Sequence, residues 1–210
     1  ELISYQDGRR WRVGEVISVF PHLIDIYKEK LFEAIADNDV AVLEVGSTVG
    51  DFESEFFLRM VSSLSAELDL FVVQLSYLAL MGSGAGAEND VINQDVILKP
   101  IKQSFHTACS FCLKPDALLI RSEKAIGSGI KRRISRATCL SEAHIFFDFD
   151  VNSIYDVPEM LRKQGLLEMI MTCCRLKSSA KKRPSLAAYS RNIVRLANTV
   201  QYRVAIIGDT

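Results

Sequence analysis

Glu44-Val45-Gly46-Ser47-Thr48-Val49-Gly50-Asp51-Phe52-Glu53-Ser54 is the stretch on which the reading of this chain turns. It follows a compact apolar run at 40–43 and leads into an amphipathic run at 55–64. An apolar run that passes through a glycine-containing turn into a helical repeat is the strand–turn–helix step of an α/β protein. Three carboxylates, Glu44, Asp51 and Glu53, edge the turn. In open α/β sheets ligands bind beyond the carboxyl ends of strands. Glu44 stands near such an end and can coordinate a Mg²⁺ that also touches phosphate oxygens. Gly46 and Gly50 permit close backbone approach or positive φ. Asp51, Glu53 and Ser54 fall where a helix starts. There they cap exposed N–H groups or accept hydrogen bonds from a ribose or base. Spacing alone leaves a metal-bound polyphosphate turn and an ordinary capped helix start both open.

Outward from this stretch, β-rich runs alternate with helical ones. Residues 15–20 predict a strand. Residues 22–36 predict a helix, because Leu23, Ile26, Tyr27, Lys30, Leu31 and Ala34 follow a repeat of three and four. Continuous apolar runs at 40–45 and 68–75 predict strands buried on both faces, as in a parallel sheet. Strands are expected at 116–121 and 145–149, and a helix at 131–139. A single helix is expected over 157–173, with Pro158 in its first turn and Gly165 weakening its middle. Residues 81–93, with Gly82-Ser83-Gly84-Ala85-Gly86, have the composition of a loop. A helix follows from Pro100. Residues 177–184 read as a basic linker and 185–198 as a short helix with Ser185 at its N-cap. Residues 202–209 read as a final strand. The fold class is α/β, three-layer, with a mostly parallel and doubly wound sheet.

The 210 residues carry a net charge of −1, and 49% are hydrophobic. That suits one folded domain with a substantial core and excludes global disorder. A near-zero charge supplies no argument for nucleic-acid binding. No apolar run approaches the ~20 residues of a membrane span, and no signal-peptide pattern is present. The five cysteines, Cys109, Cys112, Cys139, Cys173 and Cys174, follow no disulfide framework and point to a reducing, cytoplasmic compartment. Cys109-x-x-Cys112 has no second pair to complete a zinc site and is read as two buried thiols.

A polyphosphate needs fixed cations or Mg²⁺. Lys99-Pro100-Ile101-Lys102 is expected to open a helix, where phosphate would meet an N-terminus. Lys131-Arg132-Arg133 is either a ligand-binding group or a solvated charge run. His22, His106 and His144 match no catalytic spacing, and His22 is best read as a structural hydrogen bonder. No GxxxxGK[ST] phosphate loop occurs in the 210 residues.

These residues resemble a known family. The 44–54 stretch is similar to the Glu-Ile-Gly-Gly-Thr-Val-Gly-Asp-Ile-Glu-Ser signature of CTP synthases. Gly14 to His22 resembles that family's strand ending in Pro-His. Lys99-Pro100, Lys114-Pro115-Asp116 and Arg121-Ser122 stand at its Lys-Pro, Gln-Pro-Asp and Arg-Ser positions. Asp150-Val151-Asn152-Ser153-Ile154-Tyr155 resembles its Asp-Val-Asp-Ser-Ile-Tyr. Val157-Pro158, Leu161 and Gln164-Gly165-Leu166 continue the match in order.

The resemblance implies a P-loop NTPase or dethiobiotin-synthetase-like fold, present as a partial domain, in a tetrameric enzyme. That enzyme phosphorylates UTP with ATP and aminates it to CTP with ammonia from glutamine. The resemblance implies Mg²⁺ at Glu44 and UTP or CTP at Asp51, Phe52, Glu53, Lys99, Lys102 and Arg133. It implies the adenine of ATP at Phe149, Asp150 and Val151. It divides the chain into 1–176, the C-terminal portion of the synthetase domain lacking the P-loop; 177–201, a linker; and 202–210, the first strand of an amidotransferase domain.

The chain departs from the family pattern at several points. The family's Lys-Thr-Lys-Pro-Thr-Gln reads Ile97-Leu98-Lys99-Pro100-Ile101-Lys102, which loses one cation and turns a Gln into Lys102. Ile97 and Ile101 then stand at UTP-facing positions, and residues 82–93 make a longer segment than usual. Ser47 replaces a glycine, and Arg133 replaces a lysine with a cation of different geometry. Ile97 and Ile101 favour a degenerate binding or assembly module, while the retained Glu44, Asp51 and Glu53 favour an active enzyme.

Overall fold

The computed structural model describes residues 22–78 and 91–177, with the backbone alone at 91–97. The expected strands at 15–20 and 202–209, residues 81–90 of the expected loop at 81–93, the linker and the Ser185 helix lie outside the described residues, and residues 91–93 of that loop are helical. Two compact units divide the chain: residues 1–70 with 106–114, and residues 71–105 with 115–210.

In the first unit, helix α1 (Ile24–Ile35) and helix α2 (Phe52–Leu64) pack through their apolar stripes. Ile26, Leu58, Met60, Val61 and Leu64 are buried, each worth roughly 1.5–3 kcal/mol of burial. Tyr27, Phe56 and Phe57 meet edge to face, with ring centroids 5.3–6.0 Å apart, the arrangement aromatic quadrupoles favour. A Lys28–Glu67 ion pair closes the far end.

The apolar run at 40–45 is not a strand. It is exposed, with Val42 95% accessible. A strand buried on both faces needs neighbours to accept its ladder hydrogen bonds, and none is present among the described residues of this unit.

The second unit holds a parallel sheet of three strands among the described residues, in the order β1-β2-β3: β1 (Val73–Tyr77), β2 (Ala117–Ser122) and β3 (Ile145–Phe149). Strand β3 lies where the sequence places it and β2 within a residue. Strand β1 starts five residues later than the apolar run at 68–75 suggests. Asp116 sets that start: its carboxylate accepts from Val72 N at 2.7 Å, and Asp116 N donates back to Val72 O at 2.9 Å.

Between the strands run helix α3 (Val91–Ser110) and helix α4 (Ser128–Thr138). After β3 come helix α5 (Val157–Lys163) and helix α6 (Leu166–Cys173). The single helix expected over 157–173 is therefore two. Gly165 adopts φ +92°, a left-handed turn that glycine enters without the Cβ clash.

Helices cover both faces of the sheet. On one face, Ala117, Phe146 and Leu166 form an apolar cluster joined by Leu119, Leu161, Met169 and Ile170. On the other, α3 meets β1, where Gln74 Nε2 donates to Ser104 Oγ at 2.9 Å. Fully buried Leu118, Ile120 and Ile145 fill the centre. His144 plays a structural part, its Nδ1–H donating to Asp116 O at 2.7 Å. No helix among the described residues is long and apolar enough to cross a membrane.

Candidate functional site

The 44–54 turn in the first unit is shaped by two positive-φ residues and one serine. Ser47 has φ +80° and Gly50 φ +107°, while Gly46 needs no such conformation. Asp51 occupies the N-cap of α2, with extended backbone. Its carbonyl accepts from Ser54 N at 3.0 Å and Glu55 N at 3.2 Å. The expected capping by the Asp51 carboxylate is absent, since that side chain makes no cap bond. Ser54 does not replace it as a cap but bonds the backbone of the turn. Only 1% exposed, its hydroxyl donates to Asp51 O at 2.8 Å and accepts from Gly50 N at 3.3 Å. The buried serine ties the turn and leaves Glu44, Asp51 and Glu53 exposed. Phe52, 91% exposed, stands between two of them.

In the second unit, Lys99 and Lys102 are exposed and three apart on α3, so they share one helix surface. They lie in the middle of the helix rather than at its start, because α3 begins at Val91. The expected placement at a helix N-terminus is thereby corrected: these lysines offer side-chain charge and no helix N-terminus. Ile101 is 2% exposed and packs inward with Leu98 and Phe105. It does not face a ligand, which corrects its reading as a UTP-facing change. Arg133 is half-buried on α4, and its neighbour Arg132 stands 3.6 Å from Glu142.

The carboxyl ends of β2 and β3 carry a cluster of charge. Arg121 and Asp148 are register partners on adjacent strands. The Arg121 guanidinium donates to Ser122 O at 2.8 Å, to Asp148 O at 3.3 Å and to the Asp150 carboxylate. Its Nε lies 3.7 Å from the Asp148 carboxylate. The hydrogen bond to Asp150, then the charges of Asp150 and Asp148, raise the Arg121 pKa above its ordinary value. Phe149 and Val151 flank the exposed Asp150 and are half-buried. The sequence reading missed Asp148 altogether and took Arg121 only as a motif marker. Aligning the carboxyl ends of the two expected strands would have paired them.

The cysteines are less buried than expected. Cys112 is exposed, because it follows the end of α3 in a left-handed turn, and Cys109 is half-buried. Burial raises the Cys109 pKa, and Lys114 partly opposes this. No group of three His, Cys, Asp or Glu able to hold a metal occurs among the described residues.

A parallel sheet with flanking helices places the chain in the α/β class, in which ligands bind beyond the carboxyl ends of strands. A family model for the CTP synthase N-terminus matches residues 6–176. The chain belongs to that family, in its N-terminal amidoligase portion and not a C-terminal portion. It is 29% identical over 187 residues to a CTP synthase from Pyrobaculum calidifontis, a match covering 88% of this chain. The chain spans 33% of the length of that curated relative.

Proposed function

We propose that this chain forms the UTP- and Mg²⁺-facing part of an amidoligase that uses ATP to convert UTP to CTP, with ammonia drawn from glutamine. The observation that carries the reading is the family match across 6–176, within which the 44–54 turn keeps all three of its carboxylates exposed. In this reading Asp51, Phe52 and Glu53 receive the pyrimidine nucleotide. Lys99, Lys102 and Arg133 meet its phosphates, and Phe149, Asp150 and Val151 receive the adenine of ATP. Residues 1–176 make up the synthetase part. The end of the family match at 176 supports that boundary. The assembled enzyme is a cytoplasmic homotetramer.

The donor set fits Mg²⁺ of one kind only. Glu44 offers a single exposed carboxylate, and no three-ligand cluster stands among the described residues. Mg²⁺ commonly binds through one or two carboxylates, substrate phosphates and waters, so Glu44 suits an ion shared with a triphosphate and not an all-protein cage. Bound there, the ion neutralises phosphate charge. Glu44 would hold it.

A thermal shift tests this reading. UTP or CTP with Mg²⁺ should raise the melting temperature of the chain, as ligands of the native state do. Glu44→Ala should remove the Mg²⁺-dependent part of the rise; an unchanged rise removes Glu44 from the site. The 210 residues carry no GxxxxGK[ST] loop, so this chain assayed by itself should not make CTP from UTP, ATP and ammonia. CTP formation in that assay sinks the claim.

A second reading, a degenerate nucleotide-binding or assembly module, is favoured by Lys102 and by the cation lost at Ile97. No thermal shift at millimolar nucleotide would support it.

A further inference from the structure

Gln164-Gly165-Leu166 joins α5 to α6 along the outer edge of β3, the last strand in the sheet order among the described residues. The Gln164 carboxamide makes both hydrogen bonds that a neighbouring strand would make to one residue. Phe147 N donates to its Oε1 at 2.8 Å, and its Nε2 donates to Phe147 O at 2.7 Å. Unpaired, these two backbone groups would be an open edge or a desolvation cost.

The clamp is itself held. Gln164 N donates to Leu161 O at 3.2 Å and Gly165 N to Arg162 O at 2.9 Å. Gly165 turns the chain at φ +92°, and Leu166, 8% exposed, drops into the cluster with Ala117 and Phe146. Phe147 lies two residues before Phe149 and three before Asp150. The inner side of this strand end is fixed by β2 and by the Arg121–Asp150 pair. Gln164 fixes the outer side.

We propose that Gln164 is a positioning residue for the 149–151 segment and, through it, for the base of an adenine nucleotide. The second half of this proposal rests on the reading of 149–151 given above. The side chain acts through backbone, without touching the ligand.

Amide hydrogen exchange and nucleotide titration of the whole chain test it with two variants. Gln164→Leu removes both bonds. Gln164→Glu keeps an acceptor for Phe147 N but sets a carboxylate against Phe147 O, and it keeps the test open should the leucine variant not fold. In either variant the amides of 147 and 149–151 should lose protection while those of β1 keep theirs. ATP affinity should fall about tenfold for two lost hydrogen bonds, with UTP affinity unchanged. Unaltered protection at 149–151 would overturn the proposal. So would a parallel fall in ATP and UTP affinity, which marks a general loss of stability. Should the parent chain bind no ATP, the adenine assignment fails, and the exchange data still decide whether Gln164 holds the segment.

Discussion

At the residue scale, the 44–54 turn is under strain at one position. Ser47 holds φ +80°, where a residue bearing a Cβ loses roughly 1–2 kcal/mol, and it stands where the family signature has glycine. Ser47→Gly should therefore raise stability by about 0.5–1 kcal/mol, less than the full strain because glycine also loosens the unfolded chain. The midpoint of urea unfolding reads this directly. A lower midpoint would mean that the serine side chain is held by something worth more than the strain. The position was legible as a departure in sequence, but its positive φ was not. The same holds for the cap. Asp51, Glu53 and Ser54 were equally good candidates by type, yet Asp51 makes no side-chain cap bond, and the Ser54 hydroxyl, buried at 1% exposure, bonds the turn at Gly50 N and Asp51 O instead.

At the element scale, strands that carry a continuous apolar run and lie in the sheet were readable: β3 to the residue and β2 to within one. Helix limits set by long-range contacts were not. Helix α3 starts at Val91, nine residues before Pro100, although proline inside a helix removes a hydrogen bond and clashes with the preceding turn. Burial of Leu98, Ile101 and Phe105 is the compensation. Because Ile101 is 2% exposed, the threonine that the family has at this position would bury a hydroxyl there. Ile101→Thr should cost about 2–4 kcal/mol of stability and leave UTP affinity unchanged under conditions where both proteins are folded. A gain in UTP affinity, with stability intact, would return Ile101 to the ligand-facing side. Gly165 is the other lesson at this scale. Its cost in a helix was expected to weaken one long element, whereas its freedom at positive φ divides that element and delivers Gln164 to the sheet edge.

At the scale of the whole molecule, alternating apolar runs and helical repeats were enough to read a parallel α/β sheet, because βαβ connection is the only short route between parallel strands. How much of that sheet this chain completes was not readable, since pairing depends on neighbours distant in sequence. Strand β1 shows the result. Its Gln74 and Ser76 are buried toward α3, while Val73, Leu75 and Tyr77 are 41%, 64% and 57% exposed on the face that α6 covers farther along, beside Ala117 and Phe146. An apolar strip of this kind, on a strand that ends the sheet order among the described residues, invites association. Leu75→Ser should accordingly lower self-association and the binding of a hydrophobic dye, with stability within about 0.5 kcal/mol of the parent, as for other surface substitutions. Leu118→Ser, at a position with 0% exposure, should instead unfold the unit and serves as the contrast. The measurement is dye fluorescence and light scattering alongside denaturant unfolding. If Leu75→Ser destabilises as much as a core substitution, the strip is covered in solution, and the sheet continues past β1 within this same chain.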